Sequence, residues 1–339
     1  MTGTATELRF DSIDDYLGPG EGRFFGGGYR RAEYAFDGVT VDPQAGSLAS
    51  LSIGYPADWS RKSAGVDLRP HLSTVDMLVL GLQLSEAHLV QARGLAGRAR
   101  RAAWLRKVTL RAGNVPQEDL TGLPATAKPL EVREADGRQV SVYDAAVGAM
   151  TARYEIDHAP LGAAAAGPAR FATLDEVLGP AGTRYYGDGF KRQRHEIRDV
   201  RVDLAQLRSG ATVRIATTDG GAPPADGIDG AHQPLLSVID CFVVNLQLAQ
   251  IMMYEMDAVR RQDSNTLWMV RTVLDAAEPE RPWTGRDLAT TAEIAEKTLV
   301  PLRGKVWRQV RIRAACGGVT LATTFAHELP PEAAARATA

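Results

Sequence analysis

The chain contains the segment Leu72-Ser73-Thr74-Val75-Asp76 and, 164 positions later, the similar segment Leu236-Ser237-Val238-Ile239-Asp240. Each segment opens a long run without proline that is apolar on nearly every face, at residues 73–92 and 237–258. A helix of this composition must be surrounded by other elements, because it has no polar face to turn towards solvent. The two runs therefore predict two long, buried helices at the centres of two similar units.

The similarity between the two segments extends over most of the chain. With an offset of 161 positions, residues 9–19 align with 170–180, and residues 23–31 align with 184–192. A match of this length indicates that a whole folding unit has been duplicated. Two such units can pack about a pseudo-twofold axis as a homodimer does, while each remains free to diverge. We predict a first copy at residues 1–160, a linker at 161–168, a second copy at 169–329 and a disordered tail at 330–339.

Strand-like patterns surround each predicted helix, after a turn-rich opening segment that contains Leu-Gly-Pro in both copies. Alternating or β-branched residues occur at 39–41, 48–55, 103–112, 130–134, 139–147 and 150–157, and again at 200–204, 212–217, 267–276, 289–301, 305–315 and 319–328. One long buried helix among several strands is typical of an antiparallel sheet wrapped around a central helix. The sequence therefore predicts an α+β protein of the double hot dog type.

Composition and charge exclude several classes of protein. The 339 residues carry a net charge of −2, so the chain lacks the basic surface that nucleic acids require. No apolar run reaches the roughly 18 residues needed to span a bilayer, and the first residues lack the features of a secretory signal. We expect a cytoplasmic monomer or homodimer that binds neither nucleic acid nor membrane. No His, Cys or acidic cluster has metal-ligand spacing, so we expect no metal and no cofactor.

Two polar residues interrupt each predicted helix at equivalent positions. Asp76 and Gln83 lie two helical turns apart on one stripe, and Asp240 and Gln247 repeat this spacing. One interpretation is structural, since an acid in the first turn after Ser73 or Ser237 caps backbone amides. The other is that these side chains line a cleft between the copies, with the acids in catalysis and the glutamines in substrate binding.

His71 marks a difference between the two copies. It precedes the first predicted helix, whereas the aligned residue of the second copy is Leu235, with His232 displaced three positions upstream. Histidine is the side chain best suited to proton transfer near neutral pH, although a lone histidine is more often structural. We expect His71 to be catalytic if the fold places it at the interface between the copies.

The first copy also has a cation-rich segment that the second copy lacks. Trp59, Ser60, Arg61 and Lys62 follow Tyr55-Pro56-Ala57-Asp58, and Arg69 lies shortly afterwards. Guanidinium and ammonium groups could hold a phosphate. The alternative is a solvated loop without a binding role.

The longest motifs of the first copy resemble the avirulence D (AvrD) family over nearly the whole chain. They are Leu17-Gly18-Pro19-Gly20, Arg23-Phe24-Phe25-Gly26, Tyr55-Pro56-Ala57-Asp58-Trp59-Ser60 and Pro70-His71-Leu72-Ser73-Thr74-Val75-Asp76. The resemblance implies a role in secondary-metabolite biosynthesis, in making syringolides from a β-ketoacyl thioester and a pentulose. It also implies a fold similar to the butenolide synthase AfsA and to thioester dehydratases. The implied partners are an acyl carrier protein thioester and a phosphorylated ketose.

These observations lead to one preferred hypothesis and two alternatives. In the preferred one, an acyltransferase-type condensing enzyme, His71 removes a proton from the sugar hydroxyl, which attacks the thioester. Asp76 or Asp240 then orients the histidine or protonates the leaving group, and helix N-terminal amides hold the oxyanion. The alternatives are a dehydratase or cyclase that uses His71 with Asp240, and a non-catalytic acyl-binding protein.

Overall fold

A computed structural model of the chain describes residues 7–60, 69–135, 137–162, 165–264, 267–302 and 304–338. The strands are β1 (Glu7–Ser12), β2 (Glu33–Asp42), β3 (Gly46–Gly54), β4 (Trp104–Arg111), β5 (Leu123–Ala135), β6 (Arg138–Val147), β7 (Met150–His158), β8 (Ala169–Thr173), β9 (Gln193–Asp203), β10 (Arg208–Thr217), β11 (Trp268–Ala276), β12 (Leu288–Leu302), β13 (Lys305–Cys316) and β14 (Val319–Glu328). The helices are α1 (Ile13–Leu17), α2 (Thr74–Gln91), α3 (Gly97–Arg101), α4 (Asp175–Leu178), α5 (Val238–Asp257) and α6 (Pro331–Thr338).

The described strands form one antiparallel sheet, which confirms the α+β class. Its order is β1-β9-β10-β12-β13-β14-β11-β4-β7-β6-β5-β3-β2-β8. The strands of the two copies meet at the β4–β11 pair, where Arg111 is opposite Arg271. Every predicted strand pattern coincides with an observed strand. The sheet is therefore continuous from one copy into the other.

The two long helices pack against the sheet. Helix α2 contacts β3, β5, β6 and β7, and helix α5 contacts β10, β12, β13 and β14. Apolar residues around the whole circumference are buried, including Val75, Leu78 and Leu82 in α2, each with no exposed surface. Residues of both copies belong to one connected apolar core. Burial on every side explains why neither helix has a polar face.

The opening segments of the two copies are exchanged, which the sequence did not indicate. Strand β1 of the first copy pairs with β9 of the second, and β8 of the second copy pairs with β2 of the first. The helix that follows each strand continues the exchange, since α1 contacts α5 and α4 contacts α2. We expected these openings to be turns. They instead extend the sheet at its two ends, because each adds a strand to the open edge of the other copy.

Reciprocal hydrogen bonds fix the exchange at the middle of each long helix. Arg23 Nη1 donates to Gln247 Oε1 of α5 at 2.6 Å, and Arg184 Nη1 donates to Gln83 Oε1 of α2 at 2.7 Å. All four side chains are almost fully buried. Hydrogen bonds to a charged group contribute about 1.5 to 3 kcal/mol each. Each copy therefore depends on the other to satisfy the glutamine in its central helix.

The end of the chain is helical, in contrast to the disordered tail expected from its sequence. Residues Pro331–Thr338 form α6, and Ala333 is buried. Together with Val259 and Leu329, it forms a small apolar cluster apart from the main core. Arg336 Nη2 donates to the carbonyl oxygen of Ala258 at 3.2 Å. A few buried apolar contacts thus order a segment that composition alone assigns to the frayed end of the chain.

Within the described ranges, none of the helices combines the length and the apolarity that crossing a bilayer requires.

Close packing of α2 on the sheet gives a test of this arrangement. A Cβ atom added at Gly81 would lie 2.6 Å from Tyr154 Oη and 3.0 Å from Ala145 Cβ. Tyr154 cannot move freely, because its hydroxyl donates to the Met77 carbonyl and the ring is fully buried. Overpacking costs about 1 to 3 kcal/mol, whereas alanine gains about 1 kcal/mol over glycine in a helix. We expect Gly81→Ala to lower the free energy of unfolding by about 1 to 2 kcal/mol in urea denaturation.

Gly22→Ala is the matched control, since a Cβ there meets nothing within 4 Å. It should change stability by about 0.5 kcal/mol or less. A Gly81→Ala protein as stable as the parent would contradict the close approach of α2 to β6 and β7.

Candidate functional site

A cavity opens where the start of α2 meets α5, β11 and β14 of the second copy. The space within it, with its open mouth, is about 1150 Å³, of which about 140 Å³ can hold the centre of a water molecule. Its apolar wall includes Phe24, Phe25, Trp59, Trp268, Met269 and Phe325. Its polar wall includes Arg23, Ser60, His71, Ser73, Gln250 and Arg261. Both copies therefore contribute to one cavity.

His71 lies on this wall, at the entrance to α2. Its ring makes an edge contact with Trp59, with the centroids 5.5 Å apart. Its Nδ1 is 3.3 Å from the carbonyl oxygen of Arg69. A carbonyl oxygen can only accept, so the contact favours the tautomer with hydrogen on Nδ1 and a lone pair on Nε2. In the neutral ring, this tautomer leaves Nε2 as the nitrogen that can accept a proton.

The N-terminus of α2 also faces the cavity, through Ser73 and Thr74. Ser73 is the N-cap, and its hydroxyl accepts from the Asp76 amide at 3.1 Å. The amides of Thr74 and Val75 follow the cap and have no acceptor within the helix. The partial positive charge of a helix N-terminus stabilises anions. The cavity wall thus has His71 and the first helical residue, Thr74, within three residues of each other in the chain.

Asp76 lies behind the cavity wall and acts as a structural acceptor. Its carboxylate accepts from the Ser73 amide at 2.7 Å and from the hydroxyls of Tyr34 and Tyr55 at 2.7 to 2.8 Å. Burial raises the pKa of Asp76, and the bonds from Ser73, Tyr55 and Tyr34 oppose this rise. The described cavity wall does not include Asp76, and its role in catalysis stays a prediction.

Asp240 occupies the equivalent position in α5 with different partners. It accepts from the Ser237 amide at 2.7 Å and contacts His195 Nε2 at 2.7 Å. His195 aligns with Tyr34 in the repeat, so one carboxylate position has a tyrosine partner in one copy and a histidine in the other. The His195 and Asp240 side chains are 4% and 2% exposed. Asp240 is outside the described cavity wall, and its use together with His71 stays a prediction.

Among the expected substrate-binding residues that the structure describes, two line the cavity and three do not. Trp59 and Ser60 are on the wall. Gln83 and Gln247 are instead buried in the bonds to Arg184 and Arg23 described above.

Of the predicted phosphate-binding cations, the structure describes only Arg69. Arg69 is 81% exposed at its side chain and pairs with Glu118 at 3.4 Å, away from the described wall. Arg61 and Lys62 lie outside the described residues.

The region around the start of α5 corresponds to the cavity, but side chains fill it. Leu235, the counterpart of His71, has no exposed surface. Arg281 lies over Trp104, with its guanidinium carbon 5.9 Å from the ring centroid, whereas the aligned Trp268 faces the cavity. Asp229 is fully buried and accepts from the Tyr186 hydroxyl at 2.7 Å. Divergence of the copies has therefore left the α2 side open and packed the α5 side.

Sequence reasoning missed several residues of the cavity wall. Gln250 and Tyr254 lie on the C-terminal half of α5, and Gln250 aligns with Glu86. Glu86 is buried in a bond with Arg100 at 2.7 Å. The difference between these aligned residues was the available signal, since Glu86 forms a buried ion pair and Gln250 faces the cavity.

The comparison with protein families decides the identity of the chain. Residues 8–330 match the family described as Pseudomonas avirulence D protein (AvrD). The chain belongs to the AvrD family. Among curated proteins, none matches this AvrD-family chain.

Several solved structures are similar to the AvrD-family chain. The TesB protein of Mycobacterium avium subspecies paratuberculosis has a TM-score of 0.41 and 7% identity, covering 85% of this chain and 94% of that one. A hot dog fold protein of unknown function from Alicyclobacillus acidocaldarius has a TM-score of 0.35 and 11% identity, covering 85% of this chain and 94% of that one. An acyl-ACP thioesterase from Bacteroides thetaiotaomicron has a TM-score of 0.38 and 10% identity, covering 88% of this chain and 99% of that one. Similarities of this size give no information on activity.

The buried position of Asp76 in this AvrD-family protein can be tested by stability. Asp76→Ala leaves the Ser73 amide and the hydroxyls of Tyr34 and Tyr55 without their acceptor. An unsatisfied buried donor costs about 1 to 3 kcal/mol, so we expect the free energy of unfolding to fall by about 3 kcal/mol in urea denaturation.

Asp15→Ala is the control, because Asp15 forms the same capping box with Ser12 on the surface helix α1. Its loss should cost about 1 kcal/mol or less. Equal losses in the two variants would show that the tyrosine bonds contribute nothing.

Proposed function

We propose that this AvrD-family chain is a double hot dog enzyme that transfers a β-ketoacyl chain from an acyl carrier protein thioester to a phosphorylated ketose. The observation that carries the proposal is one cavity that contains His71, the amides at the start of α2 and an apolar wall. In this interpretation each copy wraps its part of the sheet around one long helix. Family membership supports a role in secondary-metabolite biosynthesis of the syringolide type.

The apolar wall suits an acyl chain. Phe25, Met269 and Phe325 contribute carbon surface, and burying each methylene of a chain gains about 0.8 kcal/mol. The cavity is open at one side, so a thioester on a carrier arm could reach it from solvent. Residues of both copies form this wall, which explains why the site requires the duplicated chain.

His71 is the general base of the proposed reaction. Its Nε2 removes the proton from a ketose hydroxyl, and the hydroxyl oxygen forms a bond with the thioester carbonyl carbon. The carbon–sulfur bond then breaks, and the proton passes from His71 to the departing thiolate, which leaves as the carrier thiol. General base catalysis of this kind contributes about 10² to 10⁴ in rate. The products are an acylated ketose phosphate and the free carrier protein.

The start of α2 stabilises the charge that develops during this transfer. The amides of Thr74 and Val75 are donors for the oxyanion of the tetrahedral intermediate. Asp76 contributes indirectly, since it holds the Ser73 amide and fixes the cap from which these donors project. It is therefore a positioning residue and not an acid.

Transfer suits the cavity better than dehydration or cyclisation does. Dehydration of a β-hydroxyacyl thioester needs a group that protonates the leaving hydroxyl, commonly a carboxylic acid beside the base. The described part of the cavity wall has no Asp or Glu, and Asp240 is in contact with His195. A second substrate with its own hydroxyl removes the need for that acid.

The test is incubation of the purified protein with a β-ketoacyl carrier protein and a panel of ketose phosphates, followed by mass spectrometry. We expect an acylated ketose phosphate to appear as free carrier thiol is released. His71→Gln should lower kcat by about 10² or more, because it removes the base and leaves the volume similar.

His232→Gln is the matched control, since His232 precedes α5 and its Nε2 is 3.4 Å from the Ala102 carbonyl. This variant should react like the parent. Wild-type rates in His71→Gln would exclude the assigned base. Loss of water from a β-hydroxyacyl carrier protein without any sugar would favour the dehydratase instead.

A further inference from the structure

Arg23 and Arg184 are aligned residues with almost the same surroundings. Each bonds to the glutamine of the opposite long helix, as described above, and each pairs with the aspartate nine positions earlier, Asp14 or Asp175. Arg23 is 4% exposed and Arg184 is 1% exposed. The pair therefore provides an internal comparison in which one member can serve as the reference for the other.

The two guanidinium groups differ at Nε. Arg184 Nε donates to the carbonyl oxygen of Gly179 at 3.0 Å. Arg23 Nε is equally buried but has no hydrogen-bond partner among the described residues. A buried donor without an acceptor costs about 1 to 3 kcal/mol. The duplicated geometry shows that the fold can satisfy this atom, so its unsatisfied state in the first copy needs an explanation.

The surroundings of the two arginines explain the difference. Arg184 is covered by the chain itself. Its backbone forms an isolated β-bridge with Asp226, and a Cβ atom added at Gly227 would lie 3.6 Å from the Cβ atom of Arg184. Arg23 lies on the wall of the open cavity. The donor left without a partner thus belongs to the arginine that a ligand can reach.

A second guanidinium, that of Arg261, lies on the same wall. Burial lowers the pKa of Arg23, Asp14 opposes this effect, and the charge of Arg261 adds to it. The ion pair of Arg23 with Asp14 uses Nη2, and the positive charge of Arg261 on the same wall adds to the local potential that favours an anion. Guanidinium groups bind phosphate and carboxylate oxygens with paired, charge-assisted hydrogen bonds.

We propose that Arg23 and Arg261 form an oxyanion-binding subsite of the cavity, and that it holds the phosphate of the acceptor ketose. The identity of the ligand rests on the proposed function, whereas the subsite rests on the geometry of Arg23. Of the cations first considered for this role, Arg69 is not among the residues of the described wall, and Arg61 and Lys62 lie outside the described residues.

The first experiment measures binding of inorganic phosphate and, separately, of acetate to the full chain by isothermal titration calorimetry. We expect phosphate to bind, and Arg23→Lys to weaken it at least tenfold, because lysine keeps the charge but loses the planar fork. Arg184→Lys is the matched control and should bind phosphate as the parent does. Arg261→Gln provides a second test, with the same tenfold loss, should Arg23→Lys fail to fold.

The outcomes separate the subsite from the reaction. Absence of phosphate and acetate binding, or equal binding by the parent and Arg23→Lys, would overturn the subsite. Binding of acetate alone, weakened by Arg23→Lys, would overturn the assignment to phosphate. Phosphate binding through Arg23 without acyl transfer would retain the subsite and reject the proposed function. Acyl transfer by Arg23→Lys with an unchanged KM for the ketose phosphate would retain the proposed function and reject the subsite.

Discussion

Two buried arginine–glutamine bonds connect the copies of this chain at the midpoints of their central helices. Arg23 and Arg184 each enter the other copy, where Gln247 and Gln83 would otherwise be buried polar groups in apolar helices. Burying a guanidinium is costly unless it is paired, and each of these two groups pairs with an aspartate as well as with a glutamine. The exchange of the opening strands carries each arginine across to the opposite copy. The bonds also place the segment after α1 against α5, where it forms one wall of the cavity.

Duplication then allowed the two equivalent regions to develop differently. Near the start of α5, Arg281, Asp229 and Tyr186 fill the space with polar contacts. Near the start of α2, His71 replaces a buried leucine and the space stays open. A symmetric homodimer could not vary one region without the other. One region can therefore maintain the stability of the interface while the other retains reactive groups at the cost of a less complete core.

Periodicity in the sequence was sufficient for the elements but not for their partners. The apolar runs and alternating segments predicted α2, α5 and most strands, because burial imposes a period on the residues of each element. The exchange of β1 and β8 was missed, since pairing between distant strands leaves no local pattern. Each glutamine, Gln83 or Gln247, was predicted on the same helical stripe as the aspartate seven residues before it. That spacing could not show that an arginine of the other copy reaches the glutamine. The recurrence of Arg23 and Arg184 was the signal for that contact.

The same limit explains the role of the two aspartates. The alternatives of cap and catalyst make identical demands on sequence, an acid three residues after a serine at a helix start. Tertiary contacts decide between them, since Tyr34 and Tyr55 converge on Asp76, and His195 converges on Asp240. An acid whose oxygens accept three or more hydrogen bonds has little capacity left for a substrate. What it does is hold the first turn through the Ser73 amide. In the proposed reaction, Asp76 therefore acts through the backbone that it fixes, because the Thr74 and Val75 amides would then meet a developing negative charge without reorganising.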